Sequence, residues 1–497
     1  MFACWPILPL LPLLAAALCA WPCRAETVRR LLAGGGLLTA LAAATVGAWA
    51  LRPAAAGATR VAAAGWLLLD ALGAWHLLAF AAVFGLASVQ AFFYFAPDRS
   101  AHPPTPAEAR RFGAGWFGAA AAALLALLAN HLGLLWVGLE TTTLLTAFLI
   151  CRPVRPAALE AMWKYLIVCS VGVAFAFMGT LLLGAAARPL LGDGAELLQW
   201  TRLRAVAGAM DPRLIKPAFV FLLVGYGTKA GLAPLHSWLP DAHSQAPAPV
   251  SALFSGFLLN TALFAALRCL PLAAAAGADW APGLLRGFGL LSVALGAIFV
   301  ALQHDWKRLL AYSSLEHLGL MALGFGCGPA GRTAALLHLL NHAFAKSLGF
   351  FGIGRLGQLF GSHEKAQITG AAAVSPLWSG GTILALLALG GAAPLGLFWS
   401  EFLLAQALVA RGAWIGLGVT LAALGLVFAI LTKGGLELAW GAAPPEHAPG
   451  RAPPPSIGER ALVALPALAL LALGWGLPLR LRDMLAAAAR ALEACTP

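Results

Sequence analysis

The sequence predicts an all-α polytopic membrane protein of about 14 transmembrane helices, two of them broken. Three observations predict it. Of the 497 residues, 61% are hydrophobic and only 10% are charged, a composition foreign to soluble domains of this size. Apolar stretches of roughly 20 residues recur throughout, each long enough to cross the hydrocarbon core. The few charges inside those stretches stand beside the Gly and Pro residues that interrupt helices, Lys229 above all.

In order, the spans fall near 3–22, 30–50, 66–95, 113–130, 132–150, 160–186, 214–239, 247–269, 283–303, 307–327, 333–356, 376–410, 412–438 and 460–480. The first 25 residues have an apolar core and a small-residue end at Cys23, Arg24 and Ala25, as a signal peptide has. They lack a basic leading segment and a further apolar span follows at once, so they read as a retained first transmembrane helix. Span 214–239 is broken: its apolar run ends at Gly225-Tyr-Gly-Thr228, Lys229 follows, and Pro234, Pro240, Pro247 and Pro249 forbid a regular helix beyond. Span 376–410 is too long for one straight crossing and is interrupted at Gly390-Gly391-Ala392-Ala393-Pro394, so it also reads as two half-helices.

The two breaks echo each other. Gly231-Leu-Ala-Pro234-Leu resembles Gly391-Ala-Ala-Pro394-Leu, each with a charge a few residues away. Paired interrupted helices in corresponding halves point to an inverted-repeat transporter and its pathway. Loops are short except 187–213 and 439–459, and the second, with Pro-Pro at 444–445 and a Pro triplet at 453–455, reads as a stiff exposed connector.

The net charge of +12 does not imply nucleic acid, because the 32 Lys and Arg scatter over short loops without a patch. They divide almost evenly between the two sides, so charge alone does not set the orientation. The eight cysteines contain no C-x-x-C pair and read as small apolar packers, with no zinc site, iron–sulfur cluster or disulfide framework.

The titratable groups at membrane depth are the candidate site. Glu140 lies mid-span and must protonate or find a cation; it either ties two helices together or works with Lys229. Lys229 is either a snorkelling anchor or a site residue, and the elaborate break beside it argues for the site. His338, His342 and Lys346, spaced by four, share one helical face, each about 5–6 Å from the next. Imidazoles titrate near neutral pH and carry two nitrogens, so such a stripe can pass protons. A metal site would want a further histidine, cysteine or carboxylate; Lys346 is a poor ligand and Asn341 points elsewhere, so no metal is assigned. Glu401 follows the second break. Weaker candidates are Lys164, Lys433, His304, Glu316 and His317; His236 and His243 would connect the broken helix to water. Lys307 and Arg308 read as interfacial anchors. Nothing resembles a phosphate loop, nucleotide fold, catalytic triad or redox-metal ligand set, so no cofactor is implied and the chain moves ions without doing bond chemistry itself.

The run from Lys229 to Gly256, the segment from Gln303 to Gly319, and His338-Leu-Leu-Asn-His342-Ala-Phe-Ala-Lys346 together resemble the antiporter-like proton-translocating membrane subunits of respiratory complex I, membrane-bound hydrogenases and multisubunit sodium/proton antiporters. Trp163-Lys-Tyr-Leu166, Gly225 to His236 and the run ending at Asn260 resemble most the hydrogenase-4 component F branch, also found in formate hydrogenlyase-type complexes. The resemblance implies two inverted five-helix repeats at about 113–269 and 283–438, preceded by helices in 1–112 and followed by a connector and a last helix in 439–497. It also implies a proton relay through Glu140, Lys229, His338, His342, Lys346 and Glu401. Other membrane subunits and a soluble redox module in a bacterial inner membrane are the implied partners. A stand-alone sodium/proton antiporter and a proton-coupled bicarbonate-uptake complex are the alternatives, with sodium in place of protons for the first. Many relatives carry a lysine at the place of Asn260 or a histidine at that of Ser255; here the link between Lys229 and the histidine stripe would either depend more on water or be partly impaired.

Overall fold

The structure, a computed structural model, describes residues 2–52, 58–100, 103–275, 277, 280–442 and 452–493. A 3-10 turn at Phe2–Ile7 leads into α1 (Leu10–Ala20) and α2 (Ala25–Ala50), so the first span is shorter and more interrupted than its apolar run suggests. A small antiparallel hairpin follows, β1 (Arg60–Ala62) with β2 (Leu67–Leu69), Arg60 opposite Leu69. The span expected at 66–95 therefore begins as a strand. Its helix, α3 (Ala71–Tyr94), starts only where Asp70 accepts the Gly73 amide at 2.8 Å and caps it.

Next come α4 (Pro106–Leu128), α5 (Leu132–Ile150), α6 (Pro156–Leu191), α7 (Trp200–Val206) and α8 (Pro212–Ala230). Thr105 and Glu108 form a capping box on α4, and Pro opens α4, α6 and α8, where no amide partner is needed. Beyond the first break lie α9 (Leu239–Gln245) and α10 (Ala248–Leu253), which passes through a π-helical turn at Phe254–Leu258 into α11 (Leu259–Ala275). The remaining elements are α12 (Trp280–Ala301), α13 (Trp306–Phe325), α14 (Gly328–Phe360), α15 (Ala371–Val374), α16 (Pro376–Leu389), α17 (Gly396–Ala410), α18 (Trp414–Trp440), α19 (Ile457–Trp475) and α20 (Leu479–Arg490). Part of the Pro-rich connector, 443–451, lies outside the described residues.

This is a predominantly helical, integral multi-pass membrane protein. Among the described residues nine helices are long and apolar enough to cross a membrane. Helices α8, α13 and α14 fall outside that set because Lys229, Glu316, His338 and their charged neighbours lower their hydropathy, yet those side chains are buried. The segment Ala248–Ala275 is buried along its apolar length, whereas the outer helices turn Phe148, Ile167, Ile415 and Leu465 outward, as lipid-facing helices do. Helix α14 is the central post, packed against α3, α10, α13, α16, α17, α19 and α20.

Both breaks share one backbone design. Gly231 and Gly391 adopt left-handed φ of 75° and 74°, a conformation that favours glycine. The amide of Leu232 donates to Gly227 O and that of Ala392 to Leu387 O, both at 2.9 Å. One residue earlier, Gly231 donates to Thr228 O at 3.1 Å and Gly391 to Ala388 O at 3.0 Å. These bonds close the helix ends in the Schellman manner, satisfying carbonyls that hydrocarbon would leave bare. An Ala–Pro peptide in cis follows in each break, at Pro234 and Pro394.

Candidate functional site

At the first break, the Lys229 ammonium is buried one residue before the end of α8. It donates to Thr143 Oγ1 on α5 and lies 6.0 Å from the centre of the Tyr165 ring. Glu140, one turn before Thr143, accepts from Ser170 Oγ at 2.6 Å through Oε1, while its Oε2 is buried without a partner. No ion pair joins Glu140 to Lys229: a hydroxyl stands beside each charge instead. Thr143 and Glu140, three apart on α5, face the same way, so the carboxylate acts on the lysine across one helical turn. Trp238 Nε1 donates to Thr228 O at 2.9 Å and holds the unwound chain against α8.

The centre of the protein holds a row of buried polar groups, hydrogen-bonded on either side of His342, whose two nitrogens have no partner. Ser255 Oγ in the π-helical turn is 2.7 Å from Ser314 Oγ on α13, which donates to Leu310 O at 3.0 Å. Lys346 Nζ donates to that same carbonyl at 2.7 Å. Along α14 from Lys346 comes His342, then His338, as the spacing requires. Helix α13 supplies what the stripe lacks: the His317 ring lies 5.2 Å from that of His342, and its Nδ1 is 2.9 Å from His338 Nε2. His338 Nδ1 in turn is 2.9 Å from Ser400 Oγ, which donates to Leu397 O at 2.8 Å. That last bond uses the hydroxyl's one proton, so His338 Nδ1 carries a proton, its Nε2 accepts, and His317 Nδ1 donates. His317 and His338 thus share a proton in a fixed order, with His342 beside them in ring contact alone.

At the second break, Glu401 is buried one residue past Ser400. Asn341 Nδ2 donates to Gly396 O at 2.9 Å and ties α14 to the start of α17, so Asn341 does bear on the site. A Cβ added at Gly391 would sit 2.2 Å from Glu401 Oε2, so the break cradles this carboxylate. Substituting Gly391 by Ala should therefore displace Glu401 as well as strain the turn. Gly231→Ala meets only the Leu239 side chain at 3.2 Å and strains its turn alone. On the relay expected from the sequence, proton translocation normalised to protein abundance should fall several-fold further in Gly391→Ala than in Gly231→Ala; equal losses would mean that Glu401 placement is unimportant.

One donor atom each of His317, His338 and Glu401 lie within 4.8 Å of one another, so the fold supplies the extra metal ligands that the histidine stripe alone lacks. The set could hold a cation by composition. Within this set His338 has both nitrogens engaged, with His317 Nδ1 and with Ser400 Oγ, whereas His317 Nε2 and Glu401 Oε1 are buried without partners. Glu316, next to His317, is buried with both oxygens unpartnered.

Other expected residues fall elsewhere. Lys433 is 80% exposed and lies 3.9 Å from Glu437 one turn on, away from the buried string. Lys164 pairs with Asp241, which Arg308 also meets at 3.0 Å, an ion triad binding α6, α9 and α13. Lys307 is no interfacial anchor: it is buried and donates to Ser244 O at 2.9 Å and to Ala246 O, capping the end of α9. His236 is partly exposed beside Phe299 and Tyr312, while His243 is fully buried and stacked on Phe350 at 5.3 Å; only His236 lies toward the surface. His304 sits in a surface cleft with Asp305, Glu364 and Lys365. Between the first break and Ser255 the polar string is interrupted by aromatic packing, with Tyr165 and Phe254 rings 5.7 Å apart.

A family profile described as NADH:quinone oxidoreductase/Mrp antiporter, TM, matches residues 129–427. The chain belongs to this family. The matched region holds Glu140, both breaks, the histidine string and Glu401, and stops short of Lys433. A hydrogenase-4 component F homolog of Methylacidiphilum infernorum is 43% identical over 289 residues, covering 58% of this chain and 61% of that protein. The NADH-quinone oxidoreductase subunit N of Desulforudis audaxviator is 32% identical over 357 residues, 71% of this chain and 68% of that one. This chain thus spans about three fifths of the first relative's length. Among solved structures, a chain of the archaeal membrane-bound sulfane sulfur reductase superposes with a TM-score of 0.84 at 23% identity, covering 99% and 98% of the two chains, and so shares the fold. A chain of Thermus thermophilus respiratory complex I superposes with a TM-score of 0.73 at 26% identity, over 95% and 96%. The chain is an antiporter-like membrane subunit of the hydrogenase and complex I family, whose relatives sit in multisubunit complexes.

Proposed function

We propose that this chain is the proton-translocating subunit of a redox-driven complex of the hydrogenase-4 or formate hydrogenlyase type, seated in a bacterial inner membrane with other membrane subunits and a soluble redox module. The observation that carries the reading is the row of buried polar groups from Ser255 through Lys346, His342, His317 and His338 to Ser400, hydrogen-bonded except at His342, which meets His317 ring to ring, and ending beside Glu401. Scaffolding does not require so many ionisable groups out of water. Besides the component F homolog, relatives named hydrogenase-4 component B and formate hydrogenlyase subunit 3, both of Escherichia coli, are 33% and 30% identical over parts of the chain, which favours this branch.

In this mechanism a conformational or charge change in a neighbouring subunit acts on Glu140. Losing the carboxylate's field frees the Lys229 proton, which crosses the aromatic gap by water and enters the string at Ser255 and Lys346. The imidazoles pass it on because each has one nitrogen to receive and one to release. Glu401 takes it at the second break. In this reading two inverted five-helix repeats, at about 113–269 and 283–438, surround this centre, each with one of the broken spans.

Two measurements test this reading. Purified in gentle detergent, the native chain should bring hydrogenase or iron–sulfur quinone-module subunits with it. In inverted vesicles, Glu140→Gln should reduce redox-driven acidification about tenfold or more with the complex assembled. Pumping at the parent rate would overturn the relay, and recovery of small antiporter subunits alone would move the function to cation/proton exchange.

A further inference from the structure

A second line of buried polar groups, which meets the string above at His342, joins the centre to the face that carries α7 and α20. At that face a cavity of about 460 Å³ is lined by Asp70, Trp200, Thr201, Arg204 and Arg490. On its floor Arg268 of α11 meets Asp70 in a bidentate pair, one of whose bonds is 2.8 Å, with the guanidinium over the rings of Trp200 and Phe264 at 4.9 Å and 4.7 Å. Six residues along α3, His76 is fully buried against Phe264; its Nδ1 lies 2.8 Å from Leu72 O and its Nε2 has no partner.

The face of α11 continues the line. Arg268, Phe264 and Asn260 are spaced by four and lie one above another. Asn260 Nδ2 donates to Gly256 O at 3.1 Å, while its Oδ1 is buried without a partner. Gly256 itself packs between Val83 of α3 and Ala343 O of α14, next to His342, both of whose nitrogens are unpartnered. Trp75, beside His76, donates to Leu336 O at 3.1 Å, which holds α3 along the same stretch of α14 that carries His338 and His342. Three buried groups in sequence, His76, Asn260 and His342, each present a polar atom that no protein group satisfies, the kind of atom that buried water bridges. Hydrocarbon-facing packing has no use for them.

We propose that this line is a water-filled access route from the α7–α20 face to His342, with the Asp70–Arg268 pair as its gate and His76 as its proton carrier. It deepens the relay reading by giving the histidine string a lateral connection to one aqueous side. The pair keeps hydrated ions other than protons out: a cation meets Arg268 and an anion meets Asp70, while a proton passes by exchange along water and imidazole.

The test is accessibility, read apart from pumping. In the assembled complex, His76→Cys and, as a control, Phe80→Cys are exposed to Ag⁺ in sealed vesicles of each orientation. The chain is then unfolded and alkylated, and each cysteine is read by peptide mass spectrometry, so native cysteines do not interfere. Phe80 lies one turn deeper, stacked on Phe84 and edge-on to Phe257, and its substitution by Cys opens more space than that of His76, so space alone would favour reaction at position 80. Position 76 should react about tenfold faster than position 80 or more, and only from the side carrying α20. Equal reactivity at the two positions, or reaction from the opposite side, overturns the route. If Lys229→Met pumps normally while position 76 reacts as expected, the relay reading has failed and the route has not. As a second readout, His76→Phe should slow redox-driven acidification several-fold without loss of complex, and His76→Gln should retain more activity than His76→Phe; equal rates for all three overturn the carrier role.

Discussion

Replacing Lys229 with methionine should lower redox-driven proton translocation about tenfold or more while leaving the complex assembled. Met fills nearly the same volume without a charge. The lysine's hydroxyl partner, Thr143, lies 3.4 Å from Leu139 O and so keeps a contact after the substitution. Little stability is therefore at stake, and a loss of pumping reports on the charge. Lys229→Arg separates two roles for that charge. A guanidinium keeps the positive charge but does not release its proton in proteins. If Lys229 is a fixed counter-charge for Glu140, Arg restores translocation. If it is a carrier, Arg fails as Met does. Acidification of inverted vesicles, normalised to the assembled complex on a native gel, decides between them.

The parts of this site legible in the sequence are those written in local chemistry. Gly231 with Pro234, and Gly391 with Pro394, stop helices by conformation and by a missing amide, so both breaks stand where they are expected. The four-residue spacing of His338, His342 and Lys346 fixes their common face before any tertiary contact is known. What stays hidden depends on partners far along the chain. His317, only a weaker candidate by sequence, gains its bond to His338 because α13 packs against α14, and Ser255 reaches Ser314 across 59 residues. Serines and threonines inside apolar helices satisfy their own backbone so readily that Thr143, Ser170 and Ser400 give no local sign of a neighbouring charge. Lys307 misleads for a related reason: placed at a span's edge, it reads as an anchor until α9 folds back and presents the Ser244 and Ala246 carbonyls. The run Leu67–Leu69 is apolar enough to pass for the start of a helix, and only its pairing with Arg60–Ala62 makes it a strand.

The largest stability effect should come from Arg268→Met. The Asp70–Arg268 pair joins residues 198 apart, and side chains of both are nearly out of contact with solvent, at 8% and 2% exposure. Removing the cation leaves a buried carboxylate with one amide bond, from Gly73, and breaking such a pair from one side typically costs about 3–5 kcal/mol. The protein should lose most of its folded abundance in the membrane and unfold at a clearly lower temperature in detergent. Adding Asp70→Asn should recover the greater part of that loss. The amide oxygen still caps α3 at Gly73, and no uncompensated charge remains. Recovery in the double variant would show that the penalty is electrostatic. A double variant as unstable as Arg268→Met would instead assign the loss to the guanidinium's packing between Trp200 and Phe264, since only that contact is then still missing.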